Sequence, residues 1–226
     1  MKPVSINIFC HNEGRLIRNS MNSVSSNIKR VKEVYSKFEF EVNILIDSGD
    51  NDTYKEIERI KENSINLIEL ETKDLGTNRN IAAERARFDL VSFIDADDVW
   101  GKNWLIRSLN SINLGGNYIL HPEFVFYFGE KPEIMIQENS DNWTFSKDIE
   151  NSNCWTSSVI LSREIILKTP YQNKSKIRKY DFEDWDWNRR TLNEGYIHQV
   201  VPRTCHFVRR RGNSHSSLQI IGWESH

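Results

Sequence analysis

Apolar and polar positions alternate along the first half of the chain in two rhythms, one of period two and one of period near 3.6. Val4-Ser5-Ile6-Asn7-Ile8-Phe9-Cys10 alternates apolar with small or polar residues and runs into His11-Asn12-Glu13-Gly14, which predicts a strand ending in a polar turn. Ile17, Met21, Val24, Ile28, Val31, Tyr35 and Phe38 recur at spacings of four and three, the stripe of an amphipathic helix about 20 residues long that covers the sheet. Residues 40–47 read as a second strand, closing in Ser48-Gly49-Asp50-Asn51-Asp52-Thr53, whose Asn and Asp side chains can cap the next helix. Residues 65–70 read as a third strand, and Asp74-Leu75-Gly76-Thr77 leads into an Ala- and Arg-rich helix over 78–88. Leu90-Val91-Ser92-Phe93-Ile94 is too short an apolar run for a helix and stops abruptly at Asp95-Ala96-Asp97-Asp98, which predicts a buried parallel strand with carboxylates at its carboxyl end.

The second half is less regular. A helix is expected over 103–113, ending at Gly115-Gly116, then a hairpin of 118–128 and 134–137 around Gly129-Glu130-Lys131-Pro132, and a short strand over 157–161. A helix over 183–194 can be ended by Gly195 in a left-handed cap, and 196–201 returns as a strand. Residues 168–179, with Pro170 and five Lys or Arg residues, read as a mobile loop. Strands alternating with helices predict the α/β class, with a mixed, mainly parallel central sheet and helices on both faces.

Composition narrows the function more than the fold. At 226 residues the chain suits one domain, 1–226, with a regular half over 1–100 and a less regular half with its tail over 101–226. A net charge of -2 argues against nucleic acid as a partner, since such affinity comes mainly from clustered Lys and Arg. Cys10, Cys154 and Cys205 lack any CxxC spacing, so neither a disulfide framework nor a structural zinc site is indicated, and reduced thiols suit a cytoplasmic protein. Met1-Lys2-Pro3 leads straight into a strand, without the pattern of a signal peptide, and no apolar run reaches the ~18 residues of a membrane span. Peripheral membrane contact and oligomeric state stay open.

In an open α/β sheet the ligand crevice lies beyond the carboxyl ends of the strands. If the strand persists that far, Asp95 and Asp97 point the same way and can share one divalent cation against substrate phosphates, while Asp98 turns elsewhere. The alternative is that these acids cap the next helix. Neither GxGxxG nor GxxxxGK[ST] occurs, which disfavours a classical dinucleotide fold and a P-loop, and the single glycine of His11-Asn12-Glu13-Gly14-Arg15 does not make the Gly-rich loop of a nucleotidyltransferase.

The order of segments is His11-Asn12-Glu13-Gly14, Asp47-Ser48-Gly49-Asp50-Asn51-Asp52-Thr53, Gly76-Thr77-Asn78-Arg79-Asn80, Phe93-Ile94-Asp95-Ala96-Asp97-Asp98, then Glu183-Asp184-Trp185. In that order the chain resembles the GT-A fold glycosyltransferases of family 2, over residues 4 to about 215. The resemblance implies a metal-dependent, inverting transferase that moves a sugar from a UDP- or GDP-sugar to a hydroxyl acceptor such as a glycan, a lipid-linked saccharide or another cell-surface precursor. It implies that Asp47 reads the base, that Asn12 and Glu13 line the nucleotide cleft and that Arg79 clamps phosphate or ribose. It further implies that Asp95 and Asp97 hold Mg2+ or Mn2+ on the diphosphate with Asp98 as a supporting acid, and that Glu183-Asp184 supplies the general base, Asp184 before Glu183, with Asp186 as understudy.

In the tail, Arg209 and Arg211 stand as phosphate clamps, and His206 and His215 as alternative metal ligands; a solvated basic run is the plain alternative. Trp155, Trp185 and Trp187 cluster near the acceptor side and suit either a sugar face or the core. Ser48 and His11 depart from the family's usual acid and aromatic, which bears on the donor more than on the fold. Two other classes remain: a catalytically silent nucleotide-sugar or glycan-binding module, and a transferase acting on modified nucleic acid through the Arg209 to Arg211 patch.

Overall fold

The computed structural model describes residues 1–60, 65–112, 117–141, 149–177 and 182–210. Its strands in chain order are β1 (Val4–Cys10), β2 (Phe40–Asp47), β3 (Ile65–Leu70), β4 (Leu90–Asp95), β5 (Val99–Trp100), β6 (Tyr118–Gly129), β7 (Glu133–Ile136), β8 (Ile160–Ser162) and β9 (Ile197–Arg210). The helices are α1 (Ile17–Val34), α2 (Asn51–Ile60), α3 (Leu75–Arg85), α4 (Trp104–Ser111), α5 (Arg163–Lys168) and α6 (Glu183–Asn193).

One sheet runs β3-β2-β1-β4-β8-β6-β9-β5, with β7 also paired to β6, next to β8 along the edge opposite β9. β3, β2, β1 and β4 are mutually parallel; β8 enters antiparallel to β4 and carries the sheet into the second half. The alternation read in the sequence sorts the strand side chains between two cores. Val4, Ile6, Ile8 and Ile44 pack with Ile17, Val24 and Leu105 of α1 and α4, whereas Phe9, Leu45, Val91 and Phe93 pack with Ala82, Ile165 and Trp187 of α3, α5 and α6. Helices therefore cover both faces, as the patterning predicts. No described helix is long and apolar enough to cross a membrane.

The parallel register is locked by a polar rung that is buried at Asn7 and Asn43 and reaches the surface at Asn66. Asn66 Nδ2 donates to Asn43 Oδ1 at 3.0 Å, Asn43 Nδ2 donates to Asn7 Oδ1 at 3.0 Å, and Asn7 Nδ2 reaches the Ser92 carbonyl at 3.5 Å. Asn7, Asn43 and Asn66 face one another in register across β1, β2 and β3, so a slip of one residue would strand amides in an apolar layer.

Several boundaries differ from expectation for local reasons. α3 begins at Leu75, not at residue 78, because the Asp74 carboxylate caps it by accepting the Thr77 N–H at 2.7 Å. Of residues 168–179, read as a mobile loop, 178–179 lie outside the described residues and the rest is tied down: Asn80 grips both main-chain groups of Tyr171 at 2.8 and 2.9 Å, and Asp74 Oδ2 accepts the Lys174 N–H at 2.9 Å. β9 continues nine residues past the expected end at 201, to Arg210, through a left-handed Arg203 (φ 59°) where its register on β6 shifts between Pro122 and Phe124. Residue 113 of the helix expected over 103–113, and the Gly115-Gly116 expected to end it, lie outside the described residues.

Candidate active site

The carboxyl ends of β1, β2 and β4 lie side by side. At the end of β2, Asp47 is 6 % exposed and receives Asn78 Nδ2 at 2.9 Å, the Thr72 hydroxyl at 3.0 Å and the Ser48 hydroxyl at 3.2 Å. Burial pushes its carboxyl up, but these donors and the Lys73 N–H outweigh that and hold it below the usual carboxylate range. The result is a fixed, ionised acceptor. His11 Nδ1 meets the Asp47 carbonyl at 2.5 Å, so that nitrogen carries the proton, and Nε2 accepts from Asn12 Nδ2 at 3.0 Å. Asn12 Oδ1 accepts the Asp50 N–H at 2.8 Å and Glu13 Oε2 the His11 N–H at 2.5 Å. Asn12 and Glu13 thus shape the β1 loop from within. A Cβ on Gly49 would run into Ile46 Cδ1 and lie 3.0 Å from the His11 carbonyl, so the loop closes over β2 only with glycine there.

β4 ends at Asp95 and does not persist to Asp97; Asp98 N–H closes a tight turn onto the Asp95 carbonyl at 3.0 Å. The shared direction expected of Asp95 and Asp97 from strand alternation therefore does not apply, and the turn brings the acids together instead. Burial pushes the Asp95 carboxyl well above its ordinary range; Arg79 pulls it back, and Asp98, Asp97 and Glu183 push it further up. Asp98 is engaged elsewhere: its carboxylate accepts the Arg209 N–H at 3.0 Å and lies 3.1 Å from His206 Nε2, which fastens the turn to β9.

The turn also hangs on α1, through residues that the sequence reading missed. The Ser20 hydroxyl lies 2.8 Å from the Ala96 carbonyl and 2.5 Å from that of Asp98; Ser23 Oγ accepts the Trp100 N–H at 3.1 Å, and Asn27 Oδ1 accepts the Leu105 N–H at 3.0 Å. Ser20, Ser23 and Asn27 are all buried, at spacings of three and four beside the apolar stripe. That second, polar stripe is the signal that could have found them.

Each residue of the Gly76-Thr77-Asn78-Arg79-Asn80 segment has a separate partner. A Cβ on Gly76 would stand 2.8 Å from the Gln172 carbonyl and 3.4 Å from Glu183 Cβ, so only glycine lets α3, the 171–172 loop and α6 meet there. Asn78 holds Asp47, and Asn80 holds Tyr171. Arg79 is 1 % exposed, lies over the rings of Phe9 (5.7 Å) and Tyr171 (5.4 Å), pairs through Nη1 with Glu183 Oε1 and places Nη2 3.8 Å from Asp95 Oδ1. Burial disfavours its charge, but Glu183 and Asp95 more than compensate, and its pKa is raised.

At the start of α6, Glu183 is thus engaged by Arg79, and Asp186 is engaged by Arg190 at 2.8 Å. Asp184 Oδ1 instead accepts the Trp185 N–H at 2.8 Å. Burial pushes the Asp184 carboxyl up to about 7, with Glu183 adding to the rise and Arg79 opposing it. The model of glycosyl transferase family 2 matches residues 5–212. The chain belongs to that family. No curated protein sequence matches it.

Among solved structures, S. aureus TarS 1-349 superposes with a TM-score of 0.67 at 18 % identity, over 92 % of this chain and 60 % of its own. The same fragment in complex with UDP-GlcNAc gives 0.69 at 19 % identity over 96 % and 61 %, and in complex with UDP 0.70 at 19 % over 94 % and 61 %. At such identities the likeness is one of fold, and it is the GT-A fold that the order of segments implied. This family 2 chain spans about three fifths of the length of those fragments.

The remaining candidates fall in different places. The Arg209 guanidinium lies over the Phe128 ring at 4.5 Å, while Arg211 and His215 lie outside the described residues. His206 is buried against Asp98. Trp155 and Trp187 are 0 % exposed and belong to the core, not to a sugar platform: Trp187 stacks on Tyr171 at 4.6 Å and Trp155 on His198 at 4.2 Å. Among the described residues no three His, Cys, Asp or Glu side chains are disposed to cage a metal ion. The residues fit a cation held by fewer protein ligands. Mg2+ is commonly bound by one or two carboxylates plus substrate phosphates, and a cation would relieve the repulsion from Asp98 and Asp97 that adds to the effect of burial on Asp95.

Proposed function

We propose that this chain is a UDP-sugar-dependent inverting glycosyltransferase acting on a hydroxyl acceptor, built as one domain on a sheet that is continuous between its two halves. The observation that carries this reading is Asp184. A carboxyl raised to about 7 is basic enough to take a hydroxyl proton and still substantially ionised near neutral pH, and it sits across Arg79 from the acidic turn. Asp47, kept ionised, accepts a ring N–H of the base. UDP is favoured over GDP because S. aureus TarS 1-349, of the same fold, is solved in complex with UDP-GlcNAc and with UDP.

In this reaction the acceptor oxygen attacks the anomeric carbon as the bond from that carbon to the diphosphate oxygen breaks. The electron pair leaves with UDP, the acceptor proton goes to Asp184, and no covalent enzyme intermediate forms. Asp95 and Asp97 would hold Mg2+ or Mn2+, which when bound neutralises charge on the departing diphosphate. Ser20 and Asp98 keep the turn that carries those acids in place, and Asn78 keeps Asp47 aimed.

Thermal unfolding across UDP, GDP, CDP and dTDP, each with and without Mn2+ or Mg2+, tests this reading on the wild type and on Asp97→Ala. A rise in melting temperature for UDP that needs metal and vanishes in the variant supports it, because only ligand bound to the native state stabilises by mass action. No shift with any nucleotide under either metal would sink it.

A further inference from the structure

Two consecutive residues of α3 grip the two sides of the site. Asn78 holds the Asp47 carboxylate, and Arg79 holds Glu183 at the first residue of α6. We infer that Arg79 is a positioning residue for the proposed base: by pairing with Glu183 it fixes the rotation of α6 and so the direction of Asp184, and Glu183 takes no part in proton transfer. This rests on the reading of Asp184 as base.

The geometry supports it at three points. First, the Arg79 guanidinium is buried between the Phe9 and Tyr171 rings with Glu183 and Asp95 as its ion-pair partners, so it faces protein carboxylates from a closed position, unlike an arginine that waits for phosphate in an open cleft. Second, neighbours on a helix project about 100° apart, so once Glu183 is fixed toward α3, Asp184 is fixed toward a different side. Third, α6 is held a second time through the same arginine. Tyr171, against which Arg79 lies, is pinned by Asn80 and stacks at 4.6 Å and 11° on Trp187, one turn along α6 from Glu183. Gly76 admits this approach by bringing α3 to within van der Waals distance of Glu183 Cβ.

Steady-state kinetics with a UDP-sugar separate positioning from direct contact with the donor. Arg79→Lys keeps the charge but cannot span both carboxylates, and Glu183→Gln keeps the shape but not the charge. Each is expected to lower kcat by about 10- to 100-fold while donor KM moves less than about threefold, because a displacement of about 1 Å at a reacting group has that effect. The double variant is expected to be no worse than the poorer single one, since both remove one shared interaction. Asp184→Asn, run alongside, tests the underlying reading separately: if it retains wild-type kcat, the base is elsewhere and this inference falls with it. If Asp184→Asn is inactive but Arg79→Lys raises donor KM at least about tenfold with kcat preserved, arginine binds the donor and only the positioning role is overturned. Should Arg79→Lys not fold, Glu183→Gln decides alone: unchanged kcat overturns the inference, and a fall in kcat at constant KM supports it.

Discussion

The Ser20 hydroxyl, on α1, stands 2.5 Å from the main-chain oxygen of Asp98 and 2.8 Å from that of Ala96, so the acidic turn after β4 hangs from a helix on the far side of the sheet. Removing that hydroxyl leaves buried carbonyls without their donor. Ser20→Ala is expected to lower unfolding free energy by about 1–3 kcal/mol in urea at unchanged slope, and to weaken the metal-dependent stabilisation by UDP. An unchanged midpoint with unchanged metal response would show that the turn stands without α1.

The asparagine rung makes a sharper statement about the fold. Asn43→Leu keeps the branching of the side chain but orphans Asn7 Oδ1, which lies in a fully buried side chain, so a loss of about 1–3 kcal/mol is expected. Asn66, at the exposed end of the rung, should tolerate Ala within about 0.5 kcal/mol. Urea denaturation of both variants checks the contrast, and equal effects would contradict the rung.

The strands β1 to β4 were legible because their alternation divides side chains between two real cores, and α1 because its apolar stripe runs for five turns. β5 was not, since two residues carry no periodicity, and neither was the full length of β9, whose bend at Arg203 interrupts the pattern. For the proposed site, the order of motifs singled out Asp47, the acids after β4 and Glu183-Asp184. It could not distribute the work among them. That Glu183 is engaged by Arg79, that Asn12 and Glu13 serve the loop, and that Trp155 and Trp187 are core depends on contacts between residues far apart in the chain.

Beneath α6 lies a buried pair of imidazoles. His121 Nε2 meets His198 Nδ1 at 2.9 Å, and His198 Nε2 meets the Thr191 hydroxyl at 2.9 Å, with Trp155 stacked on both rings. Burial pushes both rings down, His198 to about 3 from 6.5, and at His121 the charge of His198 adds to it. Between those values the unfolded chain binds protons that the native state refuses. Stability is therefore full above about pH 6.5 and falls as pH drops below it, by about 1.4 kcal/mol per unit for each such histidine. Chemical denaturation from pH 7.5 to 5 should show this slope, and His198→Gln, though less stable at pH 7.5, should lose stability less steeply. An equal slope in the variant would contradict the assignment.

For Asp47, titration calorimetry of UDP is the direct check. If its carboxylate accepts the uracil ring N–H, Asp47→Asn should weaken UDP by about 10- to 100-fold, the worth of a charge-assisted hydrogen bond, and N3-methyl-UDP should bind the wild type as weakly. Full affinity for the methylated nucleotide would remove Asp47 from base recognition.

The proposed reaction turns on Asp184, whose neighbours Glu183 and Asp186 are both engaged by arginines. The measurement that tests it most directly pairs UDP release from a UDP-sugar with UDP binding, on the wild type and on Asp184→Asn. Release should fall by about 10²- to 10⁴-fold, the usual contribution of a general base, while the Kd for UDP stays within about twofold. Release at the wild-type rate, or a loss of UDP binding in step with activity, would contradict it.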